Sequence, residues 1–95
     1  MTSDYVRTVR YMIKCCYRYY VAANPCMGDT SYDKLVHAVQ EIEAANPGDT
    51  LAMSPTQKIW GDSSSQYPAW AKDEPTPEET VVAHTILNAY MGGKR

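Results

Sequence analysis

Three phenols and two carboxylates fall within one short stretch of this chain: Tyr19, Tyr20, Asp29, Tyr32 and Asp33. Paired carboxylates can do acid–base chemistry. A tyrosine offers an apolar ring with a polar tip, which suits a surface that binds something. Asp29, Tyr32 and Asp33 are spaced i, i+3, i+4, so on a helix they lie near one edge of its first turns. Asn24-Pro25 separates them from Tyr19 and Tyr20, and proline disfavours helical geometry in the residue before it. Two tyrosines therefore end one helix, and the acids with the third tyrosine begin the next. The spacing predicts that all five meet in one concave corner. The acids also have plainer duties open to them: Asp29 as the N-cap of the second helix, and Asp33 as a first-turn acid that favours the helix dipole. The tyrosines lie on or beside apolar helix faces, where packing is their commonest role.

Other chemistries find less support. A zinc site needs Cys or His at ligand spacing. Cys15 and Cys16 point about 100° apart on a helix, and His37 and His84 are distant in the chain. No metal is expected, and no Gly-rich phosphate loop is present. Three cysteines, two of them adjacent, do not make a disulfide framework, so a reduced, cytoplasmic setting is expected. No apolar run is long enough to span a bilayer, and the first residues lack the basic and apolar regions of a signal peptide.

The corner requires helices to build it. Residues 3–23 read as the first, with Tyr5, Val9, Met12, Ile13, Cys16, Tyr19 and Tyr20 on one side and Arg7, Arg10, Lys14 and Arg18 as a narrow wet stripe opposite. Residues 30–46 read as the second, with Tyr32, Leu35, Val36, Val39 and Ile42 inward. The short loop between them predicts an antiparallel hairpin burying one shared seam. Residues 47–75 are rich in turn formers. Ser54-Pro55-Thr56-Gln57 suits a single helical turn, and Trp60 and Trp70 flank a polar run. A loop this long is uncommon in a compact domain, so it either lies across the hairpin with its tryptophans as anchors or stays mobile until bound. Residues 77–91 read as the third helix, opened by the capping box Thr76-Pro77-Glu78-Glu79. Val82, Ile86, Ala89 and Tyr90 form its expected inner stripe, and Lys94-Arg95 a basic tip. The predicted fold is all-α: one domain over 1–95, with a helical hairpin, a third C-terminal helix and a long irregular loop.

Charge is unevenly spread, although the net charge is only −2. Arg7, Arg10, Lys14 and Arg18 crowd the first helix, and Asp73, Glu74, Glu78 and Glu79 crowd the start of the third. The favoured reading is that these ends lie together and partly neutralise. The sharper one makes the cations a face for an anionic partner, and the acids with Trp60 and Trp70 a protein-interaction segment. Four cations are too few for tight non-specific DNA binding, so direct nucleic-acid contact is not expected.

In series, these residues match a known pattern. Tyr-Tyr-Val-x-x-Asn-Pro-x-x-x-Asp-x-x-Tyr-Asp-x-Leu from Tyr19 to Leu35, then Glu43-x-x-x-Pro47, then Ser-Pro-Thr-Gln-Lys, resembles the N-terminal Ia domain of bacterial NAD-dependent DNA ligases. The resemblance covers about residues 3–61. It implies a helical module that closes over the nicotinamide mononucleotide half of NAD and helps a neighbouring domain to adenylate its own lysine. Tyr19 and Tyr32 would hold the nicotinamide ring, Asp29 and Asp33 the ribose hydroxyls or carboxamide, and Tyr20 would stand near the phosphate. The family's Lys-x-Asp-Gly motif does not occur here, so the chain is not expected to adenylate itself or seal DNA alone. Gly61 comes one residue later than in the family, and residues 62–95 do not resemble it. The implied partner is a separate ligase core. The alternative is a small regulator or inhibitor of phage or mobile-element type that uses the same scaffold to bind a host protein such as a defence nuclease.

Overall fold

A computed structural model describes residues 3–93 of the 95-residue chain. Helix α1 runs Ser3–Tyr20, α2 Asp29–Ala45 and α3 Pro77–Gly93, and the connector between α2 and α3 contains only short turns of 3-10 helix. Among the described residues there is no strand, and the fold is all-α. The basic tip Lys94-Arg95 lies outside the described residues.

Two hydrogen bonds set the direction of the α1–α2 pair. The Tyr5 hydroxyl, near the start of α1, donates to Glu43 Oε2 near the end of α2 at 2.6 Å. The Cys16 thiol, near the end of α1, shares a hydrogen bond of 3.0 Å with the Tyr32 hydroxyl at the start of α2. The helices are therefore antiparallel. The expected shared seam is thin, however. α3 lies along both helices, which touch each other more sparingly. Its inner stripe is Glu79, Ala83 and Leu87, not the predicted Val82, Ile86, Ala89 and Tyr90. Of the predicted four, Ala89 is exposed and the others are half-buried. The small side chain of Ala83, only 1% exposed, lets α3 come close.

α1 is the axis of the molecule. Residues 11–16 are buried on every side, including Lys14 from the stripe expected to be wet, and Tyr11 and Cys15, which the expected apolar side did not include. α2 and α3 cover part of this surface, and the connector supplies Trp60, Tyr67 and Ala71 to the same core. Of the two readings of the connector, the first holds: it lies across the helices. Trp60 is 5% exposed, donates its indole N–H to the Met53 carbonyl at 3.0 Å and stacks with Tyr67, ring centroids 4.9 Å apart. Trp70 is half-buried under the Arg10 guanidinium, 4.3 Å from its ring centroid.

Helix ends follow local chemistry. α1 stops at Tyr20, before the predicted residue 23, because Ala23 turns left-handed at φ 54. The Asn24 amide then reaches back six residues to the Arg18 carbonyl at 2.7 Å and closes the helix end. α2 begins at Asp29 with Gly28, in extended geometry, at the cap position and no side-chain cap bond. Asp29 is therefore not the N-cap expected of it. α3 opens with the predicted capping box: the Glu79 amide donates to Thr76 Oγ1 at 3.1 Å, and the Thr76 amide to Glu79 Oε1 at 3.0 Å.

Candidate functional site

The end of α1, the 21–28 turn and the first turns of α2 enclose a cleft of about 350 Å³. Tyr19, Tyr20, Asp29, Tyr32 and Asp33 all line it. The bend makes this possible, since the left-handed Ala23 reverses the chain and sets two helix ends side by side. Tyr19 and Tyr20 are 48% and 49% exposed and meet edge to face, with centroids 4.9 Å apart. Their rings are not packed into the core. Tyr32 is half-buried, and its hydroxyl is held by the Cys16 thiol. Burial above all, and then Cys16, push the Tyr32 phenol up, so it stays protonated at neutral pH.

Both carboxylates are exposed at the rim. Asp33 lies 4.0 Å from His37 Nε2, one turn along α2. Freed from capping, Asp29 can turn to a ligand. The rest of the wall is Pro25, Cys26, Met27 and Val36 with the buried Cys15 and Cys16. Burial pushes both of these thiols up, so neither is a ready nucleophile. Among the described residues, no group of three or more His, Cys, Asp or Glu side chains is placed to hold a metal. No described helix is long and apolar enough to cross a membrane. The site is equipped to hold a ligand: ring faces for a flat group and carboxylate acceptors for hydroxyls.

The basic stripe is not an open anionic-partner face. Lys14 is 3% exposed and donates to Glu79 Oε1 at 2.7 Å and to the Glu74 carbonyl at 3.4 Å. Arg10 Nε donates to Glu79 Oε2 at 3.2 Å, and Arg7 Nε pairs with Glu78. The reading in which the two charged ends lie together holds, because α3 starts against α1 and a buried ammonium needs an anion within reach. Arg18, with Glu74 only 3.9 Å from Nη2, is the most loosely held. Within the proposed protein-interaction segment, Trp60 and Glu79 are buried, Trp70 is half-buried, and Glu78 is exposed but paired with Arg7. Asp73 and Glu74 stay exposed.

Two features escaped the sequence reading. The lining cysteines carried a signal, since Cys15 and Cys16 stand one turn before Tyr19 and Tyr20 on the same helical faces. Glu43 carried less. Its carboxylate gathers the Tyr5 hydroxyl, the Thr56 hydroxyl and, at 3.4 Å, the Gln57 amide, which ties the Ser-Pro-Thr-Gln turn to α2. Ser54 Oγ accepts from the Thr56 amide at 3.3 Å inside that turn.

Comparison with known proteins points to one family. A family model described as "DNA ligase-like, N-terminal NAD+-binding domain" matches residues 5–60, more than half of the chain. The chain is similar to a DNA ligase of Nautilia profundicola, 42% identical over 57 residues, which is 60% of this chain and 9% of the relative. A DNA ligase of Aquifex aeolicus is 42% identical over 68 residues, 72% of this chain and 9% of the relative. One of Staphylococcus saprophyticus is 39% identical over 59 residues, 62% of this chain and 9% of the relative. The chain thus spans about a tenth of the length of the curated relatives it matches. No solved structure matches it at comparable significance. With its bend, its turn and all five corner residues inside the matched segment, the chain belongs to the family of DNA ligase-like, N-terminal NAD+-binding domains.

Proposed function

We propose that the chain is a binding module that holds nicotinamide mononucleotide, or the nicotinamide half of NAD, in the cleft at the α1–α2 bend. A ligase core that supplies the other wall of the site is its partner. One observation carries this reading: Tyr19, Tyr20, Asp29, Tyr32 and Asp33 line a single cleft, with two of the rings half exposed. A pyridinium is flat and cationic, so it is drawn to a phenol face. Ribose presents vicinal hydroxyls, which donate well to carboxylates. Tyr19 and Tyr32 take the ring, Asp29 and Asp33 the ribose or the carboxamide, and Tyr20 the phosphate end. The chain holds this ligand, and the adenylation chemistry belongs to the partner.

Titration calorimetry of the full chain with nicotinamide mononucleotide tests the reading. Half a pocket binds weakly, so a Kd near 1 mM is expected, worth roughly 4 kcal/mol. Asp33→Ala removes an acceptor and should abolish the heat, while circular dichroism stays unchanged because Asp33 is exposed. No heat from the unsubstituted chain at several times that concentration would overturn the assignment.

A further inference from the structure

A second recess, of about 240 Å³, lies beside the nucleotide cleft and shares Pro25 and Cys26 with it. Arg18 lines it, together with Asn24, Glu74 and Thr80. Arg18 differs from the three other cations of α1. Arg7, Arg10 and Lys14 each meet a carboxylate at bonding distance. The Arg18 side chain is 17% exposed, yet its guanidinium makes no hydrogen bond among the described residues. Its Nε is buried without a partner, and its nearest carboxylate, on Glu74, stands 3.9 Å away on an 89% exposed side chain. Buried polar groups are nearly always satisfied in native proteins. Arg18 lines the recess with its guanidinium mostly buried and its outer Nη2 no closer than 3.9 Å to a carboxylate, an arrangement that suits an anion.

We propose that this recess is a phosphate subsite with Arg18 as its cation. The planar fork of a guanidinium matches two phosphate oxygens at once. Asn24 also lines the recess, and its side-chain amide is a further donor type there. Glu74 lines the recess as well. Its backbone carbonyl is held by Lys14, but its exposed carboxylate is free to swing outward as an anion enters. This site is separate from the phenol and carboxylate cleft and goes beyond the nicotinamide reading. The phosphate comes either from a nucleotide seated in the adjoining cleft or from a separate phosphorylated group.

The test titrates inorganic phosphate into the full chain at constant ionic strength and follows the arginine Nε–Hε signals by NMR. The Arg18 signal is assigned from the Arg18→Lys variant. A saturable shift of Arg18 is expected in the millimolar range, with Arg7 and Arg10 unmoved. Glu74→Gln removes the competing anion and should lower the phosphate needed severalfold. Arg18→Lys keeps charge but loses the fork, so it should weaken binding, and Arg18→Gln should abolish it. An Arg18 signal unmoved at tens of millimolar, or moving in step with Arg7 and Arg10, overturns the subsite. Nicotinamide mononucleotide and nicotinamide riboside then identify the source. If the nucleotide supplies the phosphate, it binds about tenfold tighter than the riboside, and Arg18→Gln erases the difference. If the source is separate, the two bind alike and phosphate binds beside either. A chain that takes phosphate but neither nicotinamide compound keeps this subsite and loses the nicotinamide function. A chain that takes the riboside but no phosphate does the reverse.

Discussion

Ala23 holds a left-handed backbone, φ 54, at the bend on which the cleft depends. An L-residue with a Cβ is strained there by roughly 1 kcal/mol, and glycine is not. Ala23→Gly should therefore raise the urea midpoint by the equivalent of about 0.5–1 kcal/mol. Glu43 is the other residue on which much depends. Burial pushes its carboxyl up, but hydrogen bonds from Thr56, Tyr5, Ser54 and Gln57 outweigh burial and hold it below the ordinary range. Its folded pKa is thus lower than its unfolded one. The stabilisation is fully present above the unfolded value, near 4.5, and is lost as pH falls through the folded value. Glu79 behaves alike, with burial outweighed by Lys14, Thr76 and Arg10. Urea midpoints followed from neutral into acid pH should fall below about 4.5. Glu43→Gln should flatten part of that fall and cost about 1–3 kcal/mol at neutral pH. Sequence placed the five cleft residues correctly, because spacing around a helix end is local. It marked Glu43 and the Ser-Pro-Thr-Gln turn only as parts of a familiar pattern, and the contact between them and Tyr5 joins segments that are distant in the chain.

Among the elements, α3 shows most plainly where a pattern misleads. Hydrophobic periodicity placed Val82, Ile86, Ala89 and Tyr90 inward, whereas Glu79, Ala83 and Leu87 face the core. A glutamate at the head of a stripe reads as wet until its partner is known, and Lys14 is that partner, 65 residues away in the chain. Glu79 works twice, closing the capping box and neutralising a buried ammonium. Thr76→Ala removes the cap alone and should cost about 1 kcal/mol, with faster amide exchange in the first turn of α3. Glu79→Gln keeps the shape but leaves Lys14 charged and without its counter-ion, at an expected cost of roughly 3–5 kcal/mol in urea unfolding. Equal costs for the two substitutions would sink the double role. The capping box was legible beforehand, since it needs only residues three apart. The rotation of α3 was not, because it answers to charges on α1.

For the molecule as a whole, the decisive fact is that the middle of α1, residues 11–16, is enclosed. The radius of gyration of the whole chain, 12.6 Å, is about that of a single folded domain of this length. One core cluster draws on residues from Tyr5 to Leu87, with Tyr67, Ala71, Ala83 and Leu87 coming from beyond the family-matched segment. A chain cut after residue 61 should therefore lose its cooperative thermal transition in circular dichroism, since Lys14 would lose Glu79 and buried apolar surface on α1 would meet water. A cooperative melt from that fragment would show that residues 62–93 only decorate a self-sufficient hairpin. The sequence by itself determined the three helices, the bend between the first two and the gathering of phenols and acids at it. Each of these depends on residues a few positions apart. Only the tertiary structure decided that residues 11–16 of α1 are buried on every side, that three of its four cations are spent on Glu78 and Glu79, and that Arg18 is held only loosely by Glu74. Which charges meet depends on the packing of distant elements, and that packing buries apolar surface and pairs charge over the whole chain at once.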